Sequence, residues 1–134
     1  MGTTNHKNRN VLIIDDNDAI NYFNELILRN SKMFDDIKSM TSCTKGLRYI
    51  ESLVNTGDKL PDIILLDINM PIMTGWEFCE KLKTNTYLKN TETQVYILTN
   101  SLDWGDEQKP ADLTFVKGFI QKPLNTRNIS KIAC

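Results

Sequence analysis

Histidine is almost missing from this chain: His6 is the single copy in 134 residues, and it lies in a polar N-terminal stretch without periodicity. Residues 1–9 are expected to form a disordered tail. A histidine-dependent catalytic site within the chain is therefore not expected, which removes most triad chemistry. Cysteine is scarce as well. Cys43, Cys79 and Cys134 are odd in number, widely spaced and without CxxC pairing, which argues against a disulfide framework or a zinc site. No apolar run approaches the ~20 residues of a membrane span, and the opening MGTTNHKNRN lacks the hydrophobic core of a signal peptide. Position 6 is histidine where a myristoylation signal wants Ser or Thr, and Cys134 does not sit in a prenylation box. A net charge of -1, from 16 Lys and Arg against 17 Asp and Glu, leaves no global field to draw nucleic acid or anionic lipid. These absences describe a soluble, cytoplasmic protein with no direct contact to nucleic acid or membrane, which recognises its partners locally. The length suits one domain burying roughly two-thirds of its unfolded surface, placed at residues 10–134.

What is present is a strand and helix alternation. Asn10 to Ile14 is a continuous apolar run suited to a strand covered on both faces, and Ile20, Phe23, Leu26 and Ile27 follow at helical spacing. A weak strand around Ile37 to Met40 precedes a helix from about Thr44, a plausible N-cap, carrying Leu47, Ile50, Leu53 and Val54 until Gly57 stops it. Ile63 to Leu66, four consecutive Ile and Leu residues, reads as a central parallel strand ending in Asp67. Met70-Pro71 opens a turn, Gly75 permits a conformation or close approach that a side chain would hinder, and Trp76, Phe78, Cys79 and Leu82 suggest a third helix. Val95 to Leu98 forms a fourth strand ending in Thr99, and Phe119 and Ile120 a short fifth. Between them, Asn100 to Gly118 holds Gly105 and Pro110, so a short or irregular helix is expected there. Leu124, Ile129 and Ile132 supply the apolar stripe of a last helix of about two turns. Five such alternations with short connections define a doubly wound parallel α/β domain.

In open α/β sheets ligands bind at the carboxyl ends of the strands. Three apolar runs here end in charge: VLIIDD in Asp15 and Asp16, IILLD in Asp67, and FIQK in Lys122. Alone, each has a plainer reading as a helix cap, a turn residue or a solvated lysine. Together they make a site for a hard cation and a phosphoryl group. Two neighbouring carboxylates repel unless something positive lies between them, and Mg2+ accepts carboxylate, carbonyl, water and phosphate oxygens. A carboxylate is also a nucleophile toward phosphorus. Phosphoryl transfer needs mostly positioning and charge neutralisation, for which Lys122 offers a point charge and Thr99 a hydroxyl.

The strings IIDDND, LLDINMPIMTGWEF, ILTNS and GFIQKP together resemble the receiver domain of two-component response regulators, over about residues 10–133. The resemblance implies a three-layer flavodoxin-like fold with a five-stranded parallel sheet of order 2-1-3-4-5, a fold for which a chemotaxis receiver is a known example. It implies that Asp67 accepts a phosphoryl group from a sensor histidine kinase or phosphotransfer protein. Asp15 and Asp16 would bind Mg2+ together with Asp67 and the backbone carbonyl of Asn69. Lys122 would pair with the phosphoryl group, and Pro123 would follow a cis bond. Thr99 matches the switch hydroxyl and Phe119 the aromatic switch position. A phenylalanine there keeps ring packing and lacks a hydroxyl, so packing carries the switch. Asn100 stands where the family usually has a small residue, and its amide is expected to alter phosphate loss. The chain ends about one helix after Lys122, so output is expected by docking to a downstream protein. Such a protein catalyses only its own phosphorylation and dephosphorylation. The competing enzyme, an aspartyl-phosphate phosphohydrolase of the haloacid-dehalogenase type, wants an acid two positions after its nucleophile, where this chain has Asn69. A flavodoxin-like FMN binder wants a Ser-, Thr- and Gly-rich loop where this chain has Asp15 and Asp16.

Overall fold

A computed structural model describes residues 9–89, 91–100 and 112–133. The strands are β1 (Asn10–Ile14), β2 (Asp36–Met40), β3 (Ile63–Asp67), β4 (Gln94–Thr99) and β5 (Val116–Gln121). The helices are α1 (Asp18–Ser31), α2 (Cys43–Thr56), α3 (Gly75–Thr84) and the single turn α4 (Ser130–Ala133). All strand pairs are parallel, in the order β2-β1-β3-β4-β5.

Strand alternation sends successive side chains to opposite sheet faces, and both faces are covered. Leu12, Ile14, Ile64, Leu66 and Ile97 pack with Ile50 of α2 and Phe78 and Leu82 of α3. Val11, Ile13, Ile63, Leu65 and Leu98 pack on the other side with Leu28 of α1 and with Leu124, Ile129 and Ile132. This is the three-layer flavodoxin-like arrangement. Every residue of β3 is buried, as its unbroken apolar run requires of a central strand. At the edge, β2 is half-exposed, which explains its weak apolar signal.

Several boundaries depart from the sequence reading. α1 buries Asn21, Asn24 and Leu28, while Phe23 is 43% and Leu26 36% exposed. The expected apolar face is thus rotated by about one residue, near 100° on a helix. α2 is capped by Ser42, whose Oγ accepts from Lys45 N at 3.1 Å, two residues before the expected Thr44. Gly57 does end it, at φ 77°. β5 is longer than Phe119–Ile120: it begins at Val116 and carries a bulge at Lys117, which is skipped between the pairs Val95–Val116 and Tyr96–Gly118. The last helix is shorter than two turns because the Asn125 and Asn128 side chains each accept from the other's backbone N at 2.8 Å and hold the chain in turns up to α4. The tail up to residue 8 and most of the expected fourth helix, residues 101–111, lie outside the described residues.

Candidate functional site

The register of the parallel strands brings the predicted residues to one edge. β1 and β3 lie side by side with Ile14 opposite Leu66, so Asp15 and Asp67 leave adjacent strands at the same height. Asp15, Asp16 and Asp67 each present a carboxylate oxygen within 4.8 Å of the other two. Asp15 is fully buried and Asp67 is 6% exposed, whereas Asp16 faces solvent. Lys122, one residue beyond β5, reaches across the sheet edge. Its Nζ lies 3.0 Å from Asp15 Oδ2 and 3.4 Å from Asp67 Oδ2. Lys122 N donates to Thr99 O at 2.7 Å, which seats the lysine beside the end of β4. The Lys122–Pro123 bond is cis.

Local backbone holds the carboxylates in place. Asn17, the N-cap of α1, donates its N–H to Asp15 Oδ1 at 3.0 Å, and Asn69 N donates to Asp67 Oδ1 at 3.1 Å. Past β3, Gly75 N donates to Ile68 O at 2.9 Å and starts α3 under a capping box between Thr74 and Glu77. In the intervening loop Ile72 is 95% exposed at φ 73°, a left-handed conformation that costs a branched side chain about 1–3 kcal/mol. Thr99 is 5% exposed and Asn100, next to it, is exposed. Phe119 is buried among the α2 and α3 contacts, with its ring edge-on to Trp76 at 6.1 Å and 66°. The ring therefore already occupies the interior behind the strand ends.

Charge within the cluster is unbalanced, with three carboxylates against one ammonium. Burial raises the Asp67 carboxyl above its ordinary 3.8, against the opposing pull of Lys122 and the Asn69 N–H and with the help of the Asp15 charge. Burial pulls Lys122 down, but the hydrogen bond to Asp15 and the charges of Asp67 and Asp15 leave its ammonium above the ordinary value. Cys43, buried and within the field of Asp67, has its thiol pushed up to about 12 and is no nucleophile. This donor set fits a hard divalent cation, which would supply the positive charge that three converging oxygens need.

The raised Asp67 carboxyl makes a stability prediction. The folded state holds this proton more tightly than the unfolded chain, so the contribution of Asp67 is fully present below 3.8 and is lost as pH rises through the raised value. In magnesium-free buffer the urea midpoint of Asp67→Asn should gain on the wild type as pH climbs from the acid side to neutrality. A constant difference between the two would contradict it.

Fold and site together define a receiver of the kind found in two-component signalling. The chain matches the response regulator receiver domain model over residues 11–133, and it belongs to that family. A two-component response regulator from Cytophaga hutchinsonii superposes with a TM-score of 0.79 at 30% identity, covering 94% of each chain. A two-component response regulator of Arabidopsis thaliana is 30% identical over 138 residues, 92% of this chain and 82% of that protein. A 52-residue stretch is 42% identical to the sensor histidine kinase CheAY of Helicobacter pylori, which is 39% of this chain and 6% of that protein. Among the described residues no helix is long and apolar enough to cross a membrane.

All the singled-out strand-end residues arrive at this edge, with Phe119 behind it. Sequence reasoning missed Asn21, whose side chain binds the end of β1, although its place one turn into α1 was visible. It also missed the capping box, for which the Thr74-x-x-Glu77 spacing was the available signal.

Proposed function

We propose that the domain is a phosphorylation switch in which Asp67 takes a phosphoryl group from a sensor histidine kinase or a phosphotransfer protein. The observation that carries this reading is the convergence of three carboxylates within 4.8 Å, with the Lys122 ammonium set between Asp15 and Asp67. One Asp67 oxygen attacks phosphorus, the bond to the donor breaks, and an acyl phosphate remains on the carboxylate. Asp15, Asp16 and Asp67, with the Asn69 carbonyl, would hold Mg2+, which when bound neutralises carboxylate and phosphoryl oxygens. Lys122 then leaves its carboxylate partner for a phosphoryl oxygen, keeping an ion pair throughout. Thr99 contributes a hydroxyl from the end of β4.

The new charge cluster biases a two-state element. Thr99 is drawn toward the phosphoryl group, which favours the inward position of the Phe119 ring against Trp76 over an outward one, and the surface around β5 changes its affinity for a downstream protein. Asn100, exposed beside Thr99, tunes the lifetime of the phosphoryl group. The test is incubation with acetyl phosphate and Mg2+ followed by intact mass. Wild type should gain one phosphoryl group and Asp67→Asn none, while Asn100→Ala should lose its adduct at an altered rate. An adduct of equal yield on Asp67→Asn would sink the assignment.

A further inference from the structure

The inward face of α1 carries two asparagines where an amphipathic helix would place apolar groups. Asn24 is fully buried, and neither its Nδ2 nor its Oδ1 has a hydrogen-bond partner among the described residues. Asn21, one turn earlier and 3% exposed, is different. Its Nδ2 donates to Asp15 O at 2.9 Å and to Met40 O at 3.2 Å. Met40 O also accepts from Asp15 N at 3.1 Å, so the amide closes a node joining the carboxyl ends of β1 and β2. Its own Oδ1 stays buried without a partner among the described residues. A leucine would fill similar space without that penalty, so the use of the amide lies in its bonds to the strand ends.

The Asp15 carbonyl is part of the rigid peptide plane that joins Asp15 to Asp16. Rotation about the Asp15 Cα–C bond moves this carbonyl and redirects the chain at Asp16 together, so a carbonyl held in place fixes where the Asp16 side chain starts. The Asp15 carboxylate is held directly, by Asn17 N and Lys122 Nζ, and Asp67 by Asn69 N and Lys122. Among the described residues Asp16 has no hydrogen bond to its carboxylate, so its direction is left to the backbone. We infer that Asn21 is a positioning residue for cation binding, which locks the Asp15–Asp16 peptide and so keeps the Asp16 carboxylate converged on Asp15 and Asp67. This rests on the reading of the three carboxylates as a Mg2+ site.

Calorimetric titration of Mg2+ into the full chain tests it, with wild type, Asn21→Leu and Asn24→Leu compared. The two variants make the same amide-to-isobutyl change on the same buried helix face, one turn apart. A general packing role would move both alike. Asn21→Leu should weaken Mg2+ binding about tenfold or more, as loss of an outer partner of a metal ligand does, while Asn24→Leu binds as wild type. Asn21→Ala, which removes the amide without added bulk, carries the same expectation. Urea midpoints confirm that each variant is folded. Wild-type affinity in Asn21→Leu and Asn21→Ala, or equal weakening in Asn24→Leu, overturns the inference. If wild type itself binds no Mg2+, the cation reading fails and takes the inference with it. An Asp67 adduct that needs Mg2+ alongside normal titration of both Asn21 variants sinks the inference alone.

Discussion

Lys122→Met should destabilise the magnesium-free protein by about 3–5 kcal/mol, the range for removing one partner of a buried ion pair. Methionine fills most of the space of the lysine stem, so packing is a minor part of this loss. The major part is electrostatic: the side chains of Lys122, Asp15 and Asp67 are only 10%, 1% and 9% exposed, and the ammonium is within 3.4 Å of both carboxylates. Without it, two buried carboxylates face each other with Asp16 nearby. The sign is opposite to that expected for Asp67→Asn, which relieves the surplus of negative charge. Two controls separate this account from a general core defect. Mg2+ should recover part of the lost urea midpoint in Lys122→Met, because a cation that binds only the folded state stabilises it by mass action. The deficit should also shrink at acid pH, where Asp67, whose carboxyl is raised by burial, takes up a proton. A midpoint that falls by the same amount with and without Mg2+ would point to packing.

Gly75→Ala should cost about 1–3 kcal/mol by overpacking and should slow phosphorylation from acetyl phosphate. A Cβ on Gly75 would lie 2.8 Å from Asp67 O and 2.9 Å from Ile68 Cα. Both are backbone atoms, which cannot swing aside as a side chain can. Alanine is the better helix former by about 1 kcal/mol in a helix interior, but Gly75 is the first residue of α3, where that advantage is smaller. The overlap should therefore win. Its relief must push apart the start of α3 and the end of β3, and the end of β3 is Asp67, the proposed acceptor. Gly46→Ala is the informative contrast. There the added Cβ meets the Ile14 Cδ1 atom, the far end of a flexible side chain, so the loss should be smaller and the phosphorylation rate close to wild type. Equal effects of the two substitutions on the rate would remove Gly75 from its place behind Asp67.

These expectations show which parts of the molecule were legible in order of residues. The run Ile63–Leu66 and the string Val11–Ile14 are apolar because their strands are covered on both sides, so burial wrote itself into composition, and the polar residue ending each run marked the sheet edge. Gly57 announced the end of α2 because a left-handed φ favours glycine. The reading failed where side-chain hydrogen bonds compete with apolar pattern. On α1, Ile20, Phe23, Leu26 and Ile27 outline a credible apolar face, yet Asn21 and Asn24 are turned inward. No local rule places an amide against the carbonyls of Asp15 and Met40, because those acceptors meet only when β1 pairs with β2. The C-terminal turn failed for a related reason, since Asn125 and Asn128 satisfy each other's backbone and defer the helix to Ser130.

By itself the sequence determined the doubly wound class and the identity of the strand-end carboxylates, lysine and threonine, because period, burial and chain punctuation are local properties. Tertiary structure alone decided how they act together. Parallel register between β1 and β3 sets Asp15 beside Asp67, and a lysine 107 residues along the chain from Asp15 closes the pair. The balance of burial against one shared ammonium, which raises the Asp67 carboxyl, exists only once these strands share an edge. The same holds for Asn21, an ordinary polar residue of a helix until two strand ends arrive beneath it.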